Sequence, residues 1–168
     1  EQKQFLEFVK KVSLIWKEQP VFQRRKFFQG RKIRGSGVTD ISWFGPDGKD
    51  MDDSAWNAGY SKCLGMRLAG DLIGDVDAHG STLVGDTLLL LLNAHHESIP
   101  FTLPETISEH YWERLLDTSS DDGEVVQFAA GQQYQLEGRS LALLRTKSVG
   151  EPPITVSPTQ LDVLRHGR

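Results

Sequence analysis

Three neighbouring residues, His95, His96 and Glu97, have side chains that can bind a metal ion. Imidazole nitrogens and carboxylate oxygens are common zinc ligands in proteins. The three residues directly follow a predicted strand, and adjacent side chains of an extended chain point to opposite sides. The ligand spacings typical of zinc sites are also absent. We therefore expect a structural or surface histidine pair here, and no metal site.

Two pairs of adjacent carboxylates, Asp52/Asp53 and Asp121/Asp122, are the next candidates for chemistry. Glycoside hydrolysis needs two carboxyl groups that face each other across a substrate, about 5–10 Å apart. Sequence neighbours do not supply that geometry by themselves, whereas Asp is a common residue of turns and helix N-caps. We expect both pairs to be structural.

No activated nucleophile is visible in the sequence. Cys63 is the only cysteine, so an intrachain disulfide and a multi-cysteine zinc module are excluded. It lies in the apolar segment Lys62–Leu68, which indicates a core position. There is no Gly-x-Ser-x-Gly motif, and Gly35-Ser36-Gly37 lacks the other glycines and the preceding strand of a phosphate loop.

A basic segment, Arg24-Arg25-Lys26, is followed by Phe27-Phe28 and resembles a site for phosphates and stacked bases. Residues 1–34 hold ten Lys/Arg and three Asp/Glu, but residues 35–168 hold nine and twenty, and the net charge is −4. This acidic remainder argues against nucleic acid as the partner. We expect a basic arm that covers an acidic neighbouring surface.

Tryptophan side chains can stack on sugar rings, although burial is their ordinary fate. The four are Trp16, Trp43, Trp56 and Trp112. Trp43 and Trp56 are the better pair for ligand contact, because they flank the turn Gly45-Pro46-Asp47-Gly48 instead of lying in the apparent core. They are our candidate carbohydrate-binding residues.

Residues 2–19 are predicted to form one amphipathic helix that ends before Pro20. Its apolar residues recur at three- and four-residue spacing, while lysines and Glu7 fill the other side. Such a face must cover another surface, in this domain or in a missing one. The apolar stripe consists of Phe5, Phe8, Val9, Val12, Ile15 and Trp16.

The rest of the chain predicts short strands separated by Gly, Pro and Asp. This pattern favours a mainly β fold, an antiparallel β-sandwich preceded by one long helix. Ser108–Leu116 fits a helix and a strand equally well. Short helices are predicted at Asp52–Trp56 and after Ser157. The predicted strands are Val38–Phe44, Lys62–Leu68, Thr87–Asn93, Ile99–Thr102, Val125–Phe128, Gln133–Leu136 and Ser140–Arg145.

The length of 168 residues suits one domain, with or without an appendage. The longest apolar run, Leu88–Leu92, is far too short to cross a bilayer, so no membrane partner is expected. The first ten residues mix charged and apolar side chains and do not resemble a signal peptide. We expect a cytoplasmic protein, and the start at Glu1 suggests a processed product or an excised fragment.

Several stretches of the chain go beyond composition and spacing. They are Pro20–Gly30, Val38–Trp43 with Pro46-Asp47-Gly48 and Met51, Leu88–Glu97 with Phe101–Pro104, Trp112 with Leu116–Thr118, and Gly138–Leu141. In this order, they resemble the C-terminal part of isoamylase-type glycogen debranching enzymes, which belong to the α-amylase superfamily. The resemblance runs from about residue 4 to residue 145.

The resemblance implies that residues 1–37 are the last helix of a missing catalytic (β/α) barrel plus a connecting arm. Residues 38–146 would form the C-terminal β-sandwich, and residues 147–168 a tail. The partners would be the barrel and, in the intact enzyme, glycogen or another branched α-glucan.

The family's reaction is hydrolysis of α-1,6 branch linkages by a retaining mechanism with two carboxylates. Those carboxylates lie on barrel strands, and no barrel motif occurs here, so we expect no catalytic residue, no cofactor and no activity of this chain alone. Asp40 and Asp47 lie in family-like segments and are interpreted as structural. Two alternatives stay open: an independent carbohydrate-binding module, and a protein-interaction domain that uses the helix.

Overall fold

The computed structural model of the chain describes residues 2–24, 27–30, 39–59, 61–70, 84–107, 109–120 and 124–150. Within these stretches lie two α-helices, a 3₁₀ turn and eight strands. They are α1 (Gln2–Glu18), the 3₁₀ turn (Pro20–Gln23), β1 (Ile41–Phe44), α2 (Asp53–Asn57), β2 (Cys63–Leu68), β3 (Leu88–Asn93), β4 (Ile99–Thr102), β5 (His110–Asp117), β6 (Gln127–Phe128), β7 (Gln133–Leu136) and β8 (Ser140–Ser148).

The strands form two antiparallel sheets that pack face to face. One sheet has six strands in the order β1-β2-β3-β8-β5-β6, and the other consists of β4 and β7. In the large sheet, β3 pairs with β8 from Leu88–Arg145 to Asn93–Ser140. The predicted fold class, a mainly β antiparallel sandwich preceded by one long helix, is confirmed.

Side chains alternate between the two faces of each strand, and those that face the other sheet form the inner core. Trp112 is fully buried there, and its indole N–H donates to the carbonyl oxygen of Pro104 at 2.9 Å. The small sheet closes this layer with aromatic and leucine side chains. The inner core consists of Phe44, Cys63, Leu89, Leu91, Phe101, Leu103, Trp112, Tyr134, Leu136, Ala142 and Leu144.

The opposite face of the large sheet carries a second apolar cluster, which is covered by the chain that follows α1. Val21 of the 3₁₀ turn is buried in it, and Phe22 and Phe28 pack against it. Leu88–Leu92 is a continuous apolar run for this reason, since β3 is covered on both faces. The outer cluster consists of Val21, Leu68, Leu88, Leu116 and Leu143.

Most predicted elements are confirmed within a few residues. The helix predicted over residues 2–19 is α1, and the strands β4 and β7 have the predicted bounds. The segment left open between helix and strand is the strand β5, with a register shift between Arg114 and Leu116. β1 begins only at Ile41, and β8 continues to Ser148, past the predicted end at Arg145.

Three segments discussed above lie outside the described residues: Gly35-Ser36-Gly37, the Asp121/Asp122 pair and the helix predicted after Ser157. The domain boundaries at residues 37/38 and 146/147 stay predictions.

Candidate functional site

The two tryptophans singled out in the sequence lie side by side. Trp43 is in β1 and Trp56 is in α2, and their ring centroids are 5.5 Å apart with 76° between the ring planes. This edge-to-face contact is a favourable aromatic geometry. Trp56 is 50% exposed and Trp43 is half-buried, so the pair presents aromatic surface to solvent.

A tight turn after β1 is the first element that positions this pair. The backbone N–H of Gly48 donates to the carbonyl of Gly45 at 2.9 Å, as predicted for a turn here. Gly48 has φ +75°, a conformation that glycine adopts without strain. A Cβ at this position would also lie 2.7 Å from the carbonyl oxygen of Thr102 in β4. The turn therefore needs glycine and is held against the small sheet.

Helix α2 is the second element that positions the pair. The Asp52 carboxylate caps it by accepting the backbone N–H of Ala55 at 2.8 Å. Just before the cap, the N–H of Met51 donates to the carbonyl oxygen of Trp43 at 2.8 Å. This bond joins the start of the helix to the strand, and it brings Trp56 over Trp43.

The carboxylates near the tryptophans have structural partners. Asp47 accepts the N–H of Lys49 at 3.2 Å within the turn. Asp40 is buried, accepts the N–H of Gln29 at 3.0 Å and pairs with Arg24 at 3.3 Å. Together with the capping role of Asp52, this leaves an aromatic surface suited to stacking on a ligand.

Arg24, the first residue of the basic segment, packs into the protein. The Arg24 side chain is mostly buried, and its guanidinium lies 4.4 Å from the ring centroid of Phe28, in addition to its pair with Asp40. Phe27 is exposed, and residues 25 and 26 lie outside the described part of the chain. Arg24 therefore ties the arm to an acidic group of the sandwich.

The single cysteine is unsuited to nucleophilic chemistry. Cys63 is buried in the inner core, and burial raises the pKa of its thiol to about 11. The thiolate is the reactive form, so at neutral pH this side chain is a small apolar core residue. The sequence-based interpretation of Cys63 as a core position is confirmed.

Helix α1 presents its apolar stripe to solvent. No residue of α1 is buried. Of the stripe, Ile15 packs against the outer cluster. The other members lie on one side of the helix, within an arc of about 100° at 3.6 residues per turn. They are 38–69% exposed: Phe5, Phe8, Val9, Val12 and Trp16.

A partly buried ionic cluster joins the end of α1 to the large sheet. The Gln19 amide donates to Asp86 at 3.1 Å, and Arg145 contacts the same carboxylate at 3.3 Å. Arg145 also donates twice to Glu113, at 2.8 and 2.5 Å, while Lys147 lies 3.3 Å from Asp86. These partners are 32 to 67 residues apart, so no local sequence pattern could reveal the ionic cluster.

The comparison with protein families assigns the chain. The family model described as isoamylase, C-terminal, matches residues 40–145, which include every strand except the last residues of β8. The chain belongs to this family. The resemblance noted in the sequence is thereby confirmed.

Relatives extend the match beyond this isoamylase C-terminal domain. The "Glycogen operon protein GlgX homolog" of Mycobacterium tuberculosis is 35% identical over 142 residues, which cover 83% of this chain and 20% of the relative. The isoamylases of Flavobacterium sp and Pseudomonas amyloderamosa are 23% and 24% identical and cover 83% and 88% of this chain. The chain spans about a fifth of the length of these relatives.

None of the helices in the described stretches has the length and hydropathy needed to cross a bilayer. The comparisons concern the family of the domain, and they do not address the Trp43–Trp56 pair, whose role in carbohydrate binding stays a prediction.

Proposed function

We propose that this isoamylase C-terminal domain is the non-catalytic rear part of a glycogen debranching enzyme. The intact enzyme would hydrolyse α-1,6 branch linkages by a retaining mechanism, and this domain would support its catalytic (β/α) barrel. The exposed apolar stripe of α1 carries the proposal, and the expected cytoplasmic location is part of it.

The stripe needs a covering surface for an energetic reason. Apolar area contributes roughly 25 cal/mol per Å² when it is removed from water. In this chain the contribution is incomplete for Phe5 and Val9, which are 69% and 41% exposed. A barrel packed on this side of α1 would supply it.

Among the described residues, the sandwich contacts α1 near the C-terminal end of the helix. Ile15 reaches the outer cluster, and Gln19, just after the helix, donates to Asp86. The other residues of the stripe are 38–69% exposed. A rigid attachment at one end and an apolar face along the rest is the arrangement that we expect of a brace between two domains.

The buried carboxylates support a non-catalytic role. Glu113 receives two hydrogen bonds from Arg145, Asp117 accepts from Tyr134 and Ser119, and Asp40 accepts from Gln29. A retaining glycosidase needs two carboxyl groups about 5–5.5 Å apart that are open to a substrate. These three side chains are committed to partners inside the domain.

The stripe is tested with the substitution Val9→Glu/Val12→Glu. The test protein is the chain expressed with the sequence that precedes it in its gene. In this protein we expect the double substitution to lower the melting temperature by several degrees and to reduce debranching activity. The reason is that two carboxylates would be buried against the barrel. In the 168-residue chain alone, the same change should barely alter unfolding, because both side chains are exposed. The measurements are thermal unfolding and release of reducing ends from glycogen.

The matched control for this test is Lys3→Glu on the polar side of α1, which should leave both proteins unchanged. Equal effects of the stripe and control variants would contradict the proposal. So would hydrolysis of glycogen by the 168-residue chain alone, or a preceding sequence that encodes no barrel.

A second function, carbohydrate binding by the sandwich itself, is favoured by the Trp43–Trp56 contact. Two aromatic rings in contact, one from β1 and one from α2, form a surface on which the apolar face of a glucose ring can stack. This role is compatible with the first, since a debranching enzyme benefits from holding its glucan.

Trp56→Ala tests the carbohydrate site. We expect the 168-residue chain to show a saturable change of tryptophan fluorescence with maltooligosaccharides, and Trp56→Ala to weaken the binding about tenfold, or 1.4 kcal/mol. Trp16→Ala, which removes an equally exposed ring from α1, is the matched control and should bind like the original chain. A flat titration, or an equal loss in Trp16→Ala, would remove this function.

A further inference from the structure

The turn between β3 and β4 places three metal-binding side chains together. One ligand atom from each of His95, His96 and Glu97 lies within 4.8 Å of the other two. The two imidazole centroids are 4.3 Å apart, with 37° between their planes. Opposite directions for adjacent side chains were expected from an extended chain, but these residues lie in a bend after β3 has ended.

We propose that this turn binds one divalent transition-metal ion of the zinc type. The ligands would be one nitrogen of each imidazole and one carboxylate oxygen of Glu97, with water in the remaining positions. Two nitrogens and one oxygen suit Zn²⁺, Ni²⁺ or Cu²⁺. Calcium and magnesium are disfavoured, because they prefer oxygen ligands throughout.

The distances are close to those required. His95 Nδ1 lies 3.9 Å from one carboxylate oxygen of Glu97, and His96 Nε2 lies 3.8 Å from the other. Zinc bonds of about 2.0–2.2 Å in a tetrahedral arrangement place ligands roughly 3.3–3.5 Å apart. His96 and Glu97 are 62% and 72% exposed and can close this gap by rotating their side chains.

Hydrogen bonds from Asn93 and Arg139 fix the backbone of the turn that carries the three side chains. Asn93 is buried; its amide oxygen accepts the N–H of His95 at 2.9 Å, and its amide nitrogen donates to the carbonyl of Glu97 at 2.9 Å. The N–H of Arg139 donates to the carbonyl of His95 at 2.8 Å. A Cβ on Gly138 would lie 2.3 Å from the carbonyl oxygen of His96, so this approach requires glycine. Little backbone ordering is needed for binding.

Binding has one local cost. Nδ1 of His95 accepts the backbone N–H of Glu97 at 3.1 Å, and an ion bound at this nitrogen takes the same lone pair. The released N–H lies at an exposed position and gains water in exchange. We expect a moderate affinity for this reason, with a Kd on the order of 1–100 μM.

The test uses the 168-residue chain without an affinity tag. ZnCl₂ is titrated in competition with a chromogenic zinc indicator, and the visible absorption of Co²⁺ provides a second measurement. We expect one equivalent to bind, and His96→Ala to weaken the binding at least tenfold. Glu97→Gln keeps the side-chain shape and should also weaken binding, because it removes the charge. Both residues are exposed, so circular dichroism should show that the variants stay folded.

The control variant His79→Gln/His166→Gln removes histidines outside the turn and should retain the site. The proposal is overturned by a Kd weaker than about 1 mM, by unchanged affinity in both His96→Ala and Glu97→Gln, or by loss of binding in the control variant. None of these results bears on the barrel or on the tryptophan pair.

Discussion

Replacing Arg145 with methionine is expected to lower the free energy of unfolding by about 3–5 kcal/mol, because it leaves the buried carboxylate of Glu113 without its guanidinium partner. The Glu113 side chain is 4% exposed, and it receives hydrogen bonds from two nitrogens of Arg145. Asp86 keeps Lys147 as a partner, so the cost comes mainly from Glu113. Urea unfolding followed by circular dichroism measures the effect.

The double variant Glu113→Gln/Arg145→Met separates charge burial from lost packing. We expect it to be more stable than Arg145→Met, since no unpaired charge remains inside. Lys10→Met removes an exposed ion pair with Glu7 and should change stability by less than about 1 kcal/mol. A double variant that is less stable than Arg145→Met would contradict this explanation.

The ionic cluster also bears on the proposed brace. It lies beside a cleft of about 600 Å³ between α1 and the sheet, and Gln19 of the helix end belongs to it. A charge network with several directional bonds restricts the angle between helix and sheet more than an apolar contact does. The direction in which α1 leaves the sandwich therefore depends on Asp86 and Arg145 as well as on Ile15.

The local elements of this fold could be predicted because their causes are local. The spacing of Phe5, Phe8 and Val12 predicts α1, and the Gly45–Gly48 turn predicts the end of β1. The contacts between distant parts could not be predicted in this way. The pairing of β3 with β8 and the register shift in β5 depend on residues about fifty or thirty positions apart, for which the sequence holds no periodic pattern.

The candidate sites show the same division. Trp43 precedes the turn and Trp56 lies in the capped helix that follows it, so their proximity follows from local structure that the sequence indicates. The side-by-side imidazoles of His95 and His96 were missed, because the two-residue alternation of a strand was applied to a bend. The role of Asn93 in holding that bend could not be predicted from the sequence, because its partners Leu136 and Glu137 are more than forty residues away.

Trp112→Ala is expected to cost about 3–5 kcal/mol of stability, because it empties the largest fully buried side chain of the inner core. The indole also donates to the carbonyl of Pro104, just after β4. The substitution therefore removes both the packing and one link between the two sheets. Since domains of this kind are stable by only about 5–15 kcal/mol, this loss is a large fraction of the total stability.

Trp112→Phe is a milder substitution, for which the free energy of unfolding can be measured. The phenyl ring retains most of the packing but leaves the Pro104 carbonyl without its donor, which should cost about 1–3 kcal/mol. Trp16→Ala, at an exposed position of α1, is the control and should stay within about 0.5 kcal/mol of the original chain. Equal losses in Trp112→Ala and Trp16→Ala would mean that α1 is as much a part of the cooperative fold as the sandwich core. That result would contradict the proposal that a separate domain covers the apolar stripe of α1.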